Sequence, residues 1–88
     1  MKIKEGFVVR EIAGQSIVVA LGAASKKFNG LIKINDTGRI IWDMLLAGKN
    51  ECEIVERFVS EYAVDKEIAE RDVSAFIDVL RGADILEQ

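Results

Sequence analysis

The sequence predicts an α+β protein, a three-stranded antiparallel sheet followed by three helices in a winged helix-turn-helix-like arrangement. Three features carry that expectation. β-branched runs crowd the first third of the chain, and helical periodicity with capping signals fills the rest. The two regimes then meet without a linker in Gly30–Trp42, GLIKINDTGRIIW. There the run Leu31–Ile34 stops at the helix-start signal Asn35-Asp36-Thr37, and Ile40-Ile41-Trp42 follow at once. A strand so placed can finish as a sheet edge, and sheet edges accept extended peptides.

Each element has a local reason. Phe7–Ile12 and Ser16–Leu21 flank Ala13-Gly14-Gln15, where Gly14 supplies the positive φ of a tight turn, so a hairpin with strands over 7–12 and 16–21 is expected. Gly22–Lys27 reads as a connecting loop with two adjacent lysines. Phe28, Ile32 and Ile34 then alternate against Leu31 and Lys33, which predicts a third strand over 28–34. Asn35 or Asp36 caps a first helix over 36–47, with Ile41, Met44 and Leu45 on its inner face and Gly48 as a left-handed stop. Asn50 with Glu53 forms a capping-box pattern that opens a second helix over 51–62, with Ile54, Val55, Phe58 and Tyr62 inward. Ala63-Val64 turns the chain, Asp65 caps a third helix over 66–81, Gly82 ends it, and Ile85-Leu86 return to the core. Helices two and three have helix-turn-helix spacing, with the sheet in the place of a wing although it precedes them.

Composition narrows the function. With 88 residues, the chain is expected to be one domain, 1–88, with a single modest core. Half the residues are hydrophobic and 31% are charged, the balance of a globular chain rather than a disordered one. No apolar run approaches the roughly 20 residues that cross a bilayer. MKIKEGF lacks an apolar signal segment, so a cytoplasmic protein with no membrane partner is expected. There is no histidine, and Cys52 stands among Glu51, Glu53 and Glu56 with no basic neighbour to activate it. The carboxylates form no metal-like or nucleophile–base pattern, so neither an enzyme, a metal site nor a cofactor is expected. Residues 1–50 carry eight Lys/Arg against four Asp/Glu, and residues 51–88 carry four against eleven. The acidic half is either a set of solvated helix faces or a surface that attracts a basic partner segment.

The third helix has two apolar stripes. Val73, Phe76, Ile77 and Leu80 form the core face, while Ile68, Asp72, Ala75 and Val79 form a second at i, i+4, i+7, i+11. Either the second stripe packs on the first helix or the sheet, or it is one wall of a shallow groove. In the latter case small Ala75 leaves space, Asp72 pairs a basic side chain, and the Leu31–Ile34 strand forms the other wall. A winged-helix DNA-binding regulator is the alternative reading. Its reader helix would offer Lys66, Arg71 and Arg81 against Glu67, Glu70, Asp72 and Asp78, too few cations for a phosphate backbone, so no nucleic-acid partner is expected.

The ordered set Ile34-Asn35-Asp36-Thr37-Gly38, Ile41-Trp42, Leu45 and Gly48 resembles the PqqD family. The likeness continues through Ile54-Val55, Phe58, Tyr62-Ala63-Val64-Asp65, Val73, Phe76, Leu80 and Ile85-Leu86, nearly the whole chain. The resemblance implies a RiPP recognition element, a non-catalytic adaptor that captures the leader region of a ribosomally made precursor peptide. It also implies that the leader adds as a strand to Leu31, Ile32, Lys33 and Ile34, against Ile68, Asp72, Ala75, Phe76 and Val79. The partners it implies are the precursor peptide and a modifying enzyme, such as a radical SAM protein or a leader peptidase. GAASKKFNG over 22–30 is longer and more basic than in the PQQ-pathway member, and Gly38 stands where alanine is common, which points to a relative serving another peptide. Lys33 discourages edge-to-edge self-pairing, so a monomer or weak dimer is expected.

Overall fold

The computed structural model describes residues 1–26 and 30–87. In chain order these form β1 (Lys2–Ile3), β2 (Phe7–Ile12), β3 (Gln15–Ala20), a 3-10 turn (Gly22–Lys26) and β4 (Ile32–Ile34). Then come α1 (Asp36–Leu46), α2 (Glu51–Glu61), α3 (Lys66–Gly82) and β5 (Leu86–Glu87). β2, β3 and β4 make an antiparallel sheet in that order, as expected, and the three helices follow. β1 and β5 pair in a separate two-stranded sheet that joins the two ends of the chain, reinforced by an ion pair from Lys4 to Asp84 at 2.7 Å. The sequence predicts only the inward return of Ile85-Leu86 there, because a two-residue strand has no period to read.

The hairpin turns through Ala13 and Gly14 alone, at φ 52° and 77°, so that Ile12 already pairs with Gln15. Two consecutive left-handed residues match the twist of the flanking strands. β3 therefore starts one residue earlier than expected and stops before Leu21. The third strand is the larger correction. It begins at Ile32 rather than at 28: Gly30 is in a bend with no side chain to bury, Leu31 is outside the strand, and Phe28 lies outside the described residues.

The helix ends are local chemistry. After α1, Gly48 (φ 85°) turns left-handed, its N–H reaches the Leu45 carbonyl, and the Lys49 N–H reaches that of Met44. α3 ends the same way, but with Asp84 (φ 60°) in the left-handed seat and Gly82 as its last helical residue. The Ile85 N–H then bonds the Leu80 carbonyl, and both side chains are fully buried, which supplies the apolar contact that stabilises such a stop. Asn50 and Glu53 form the expected capping box. Asp65 occupies the N-cap of α3 with no side-chain cap bond.

The core lies between the inner face of the sheet and the three helices. Trp42, Ile41, Leu45, Ile54, Val73, Ile77 and Ile85 are almost fully enclosed. Two residues assigned inward sit elsewhere. α2 stops at Glu61, which leaves Tyr62 as its cap, 47% exposed with its ring tilted against Phe58. Phe76 is half-buried at the rim of the core.

Candidate functional site

Among the described residues β4 has one partner, β3, and its other edge carries no strand. Ile32, Lys33 and Ile34 lie opposite Val18, Ile17 and Ser16. Because strand side chains alternate, Ile34 is buried, Ile32 packs on the core, and Lys33 is turned outward and exposed. The chain passes from this strand into α1 within one residue. Asn35 stays extended (φ −85°, ψ −178°) while its Oδ1 accepts the Gly38 N–H at 2.8 Å. That bond satisfies one of the free donors at the helix start.

Gly38 is the pivot of the neighbouring surface. It is buried, and a Cβ on it would lie 2.8 Å from Phe76 Cε1 and 3.3 Å from Asn35 Oδ1. Only a bare backbone lets the first turn of α1 approach the α3 phenyl ring this closely. The contact forms the floor of a groove of about 350 Å³. Asn35, Thr37, Gly38 and Ile41 line one side of it, and Asp72, Ala75, Phe76 and Val79 line the other. A smaller hollow of about 70 Å³ adjoins it, walled by Phe58, Val64, Ala69 and Val73, and it shares Thr37 and Asp72 with the groove.

Four of the five expected α3 positions thus lie together, and Ile68 lines neither hollow. The second stripe does not seal against α1 or the sheet, because Ile68 and Val79 are 42% and 52% exposed. Leu31 to Ile34 lie outside the groove lining as well. Leu31 is 69% exposed, and β4 offers its backbone edge beside the groove, which begins at the next residue, Asn35. The α1 half, Asn35, Thr37, Gly38 and Ile41, is absent from the sequence-based set. The signal for it was a glycine placed inside the first turn of a helix, where its propensity cost asks for a packing reason.

Several charges elsewhere are paired with one another. A polar cleft of about 410 Å³ beside α2 is lined by Lys49, Glu53, Glu56, Arg57 and Glu61, among others. In it Arg57 Nε donates to Glu61 at 2.7 Å, and this bond and its charge attraction raise the Arg57 pKa above its ordinary value. Cys52 is exposed on the same helix. Among the described residues no cluster of His, Cys, Asp or Glu is arranged to hold a metal, and no helix is long and apolar enough to cross a membrane. On α3, Arg81 pairs with Asp78 and Arg71 lies 3.6 Å from Asp72, so two of its three cations stand beside carboxylates.

Similar proteins share this fold. One solved structure, described as TbiB1 in complex with the TbiA(beta) leader peptide, is 30% identical, with a TM-score of 0.77 over 99% of this chain and 95% of that one. A second, described as lasso peptide synthetase B1 complexed with the leader peptide, shares the fold at 22% identity. Its TM-score is 0.72, over 92% of this chain and 89% of that one. None of the curated proteins compared with the chain matches it. The family model for coenzyme PQQ synthesis protein D matches residues 9–86, from β2 to the first residue of β5, and the chain therefore belongs to the PqqD family.

Proposed function

We propose that this chain is a non-catalytic peptide-binding module of the cytoplasm. It captures the leader region of a ribosomally made precursor as a fourth strand on β4 and presents it to a modifying enzyme, a radical SAM protein or a leader peptidase. The observation that carries this reading is the juxtaposition of an unpaired strand edge with a solvent-open, largely apolar groove. An added strand runs about 4.8 Å from β4 and sends alternate side chains to one face, so one ligand can use both features at once. The relative described with a bound leader peptide, 30% identical over nearly the whole chain, supports the same ligand class. Handing the peptide on calls for a second surface. The outward face of the sheet, with Ile17 between Arg10 and Lys33 and the Val8–Val19 pair in the next row, supports that part of the reading, since these three apolar side chains lie off the core and are only partly buried.

A duplex-binding role is the weaker reading. α2 and α3 have the helix-turn-helix arrangement, but the exposed face of α3 carries Glu67, Glu70, Asp72 and Asp78. That surface, with Lys66, Arg71 and Arg81 against those four carboxylates, has too few cations to hold a phosphate backbone.

Calorimetric titration with the leader encoded beside this chain is the test. Saturable one-to-one binding is expected. No heat and no amide shift change at ~100 μM peptide, where binding is worth less than about 5–6 kcal/mol, would remove the reading.

A further inference from the structure

The groove and the smaller hollow meet at Thr37 and Asp72, the two residues that line both. Of all the described side chains in the two linings, Asp72 alone is charged. On one side of it lie Ala75, Phe76 and Val79, and on the other Phe58, Val64 and Val73. A carboxylate at the waist between two apolar hollows is an asymmetric reader: it favours a cation and leaves the flanking positions apolar. Its neighbour Arg71 stands 3.6 Å away with both side chains more than half exposed, an arrangement that contributes little and leaves the carboxylate available.

We infer that this site selects extended peptides carrying a lysine or arginine that reaches Asp72, flanked by apolar side chains on the same face of the peptide. Side chains i and i+2 of an extended peptide lie roughly 7 Å apart on one face, which lets neighbouring side chains enter the two hollows while a long basic one spans to the waist. The smaller hollow, at about 70 Å³, takes a small aliphatic group, and the larger groove takes an aromatic or a long aliphatic one. The inference rests on the peptide-binding reading and adds the chemistry of the ligand to it.

The test is selection from a displayed library of random peptides against the intact chain, in parallel with Asp72→Asn and Asp72→Lys. All three proteins are expected to melt alike, because Asp72 is exposed and has no buried partner. The native chain should enrich peptides with one basic residue between apolar ones, and Asp72→Lys should shift that position to Asp or Glu. For a selected peptide, replacing the basic residue by alanine should weaken binding about tenfold on the native chain and hardly at all on Asp72→Asn. Peptides enriched only for apolar residues, with basic ones at library frequency, would overturn the inference and leave peptide binding standing. No enrichment of any peptide would overturn both.

Discussion

Among the described residues the three-stranded sheet has two open edges, and they are not alike. β2 presents six residues and β4 only three, so by length alone β2 is the better template for an added strand. Beside β2, however, the first residue, Phe7, lines a hollow of about 250 Å³ shared with Lys4, Glu5 and Asp84, while farther along the strand polar contacts occupy the inner side. Phe7 is buried, and the Glu11 carboxylate is engaged by the Ser16 hydroxyl at 2.8 Å and by Arg39 at 3.0 Å. Beside β4 the surface opens into the groove between the start of α1 and α3. Backbone edges offer the same hydrogen bonds to any sequence, whereas pockets for alternate side chains give specificity. On the reading proposed above, the short edge, which runs into a groove between two helices, is the selective one, and the long edge, with a hollow only at its Phe7 end, is the generic one.

The largest expected effect removes the support of the selective edge altogether. α1 follows β4 directly and carries Trp42, one of the most enclosed side chains of the core. Trp42→Ala should cost about 3–5 kcal/mol by urea denaturation, a large part of the stability of a domain this size. Next is Ala75→Trp, which fills the groove from an exposed position. Peptide affinity should fall about 100-fold, or about 2.7 kcal/mol, with the melting temperature nearly unchanged. Unaltered affinity in that variant would shift the binding site to β2.

Gly38→Ala sharpens the same point more gently. Alanine recovers up to about 1 kcal/mol of helix propensity, while its methyl group forces the Phe76 ring, a movable side-chain atom at the contact, out of place. Stability should change by less than about 1 kcal/mol in a thermal melt, while affinity falls severalfold because the groove floor has moved. The smallest effect belongs to the other edge. Glu11→Ala breaks exposed contacts only, so it should cost under about 1 kcal/mol and leave peptide titration curves superimposable.

Much of this was legible in the residues, and the exceptions have physical causes. The hairpin, the Asn35 cap, the Asn50–Glu53 box and the Gly48 stop are encoded within a few residues of one another, so local chemistry reveals them. The β1–β5 pair and the Asp84 stop of α3 depend on contacts across the whole chain, which no local window contains. For the site, the periodicity of α3 placed Asp72, Ala75 and Val79 on one stripe, and the structure leaves that stripe uncovered. Phe76 was assigned to the core because angle alone does not say where a core stops. Its edge is set by Gly38, whose missing side chain admits the ring. The α1 wall stayed hidden for the same reason: Thr37 reads as an ordinary first-turn residue and Ile41 as an inward core residue until α3 is laid across them.

Amide hydrogen exchange by NMR, read residue by residue with and without the cognate leader peptide, separates the two edges most directly. Strand addition at the selective edge should slow exchange at the outward-facing amides within Ile32–Ile34 and perturb Thr37, Gly38 and Ala75, with Phe7–Ile12 unchanged. Protection within Phe7–Ile12 instead, or binding that leaves the Ile32–Ile34 amides exchanging as in the free protein, would show that β4 is not the strand that receives the peptide.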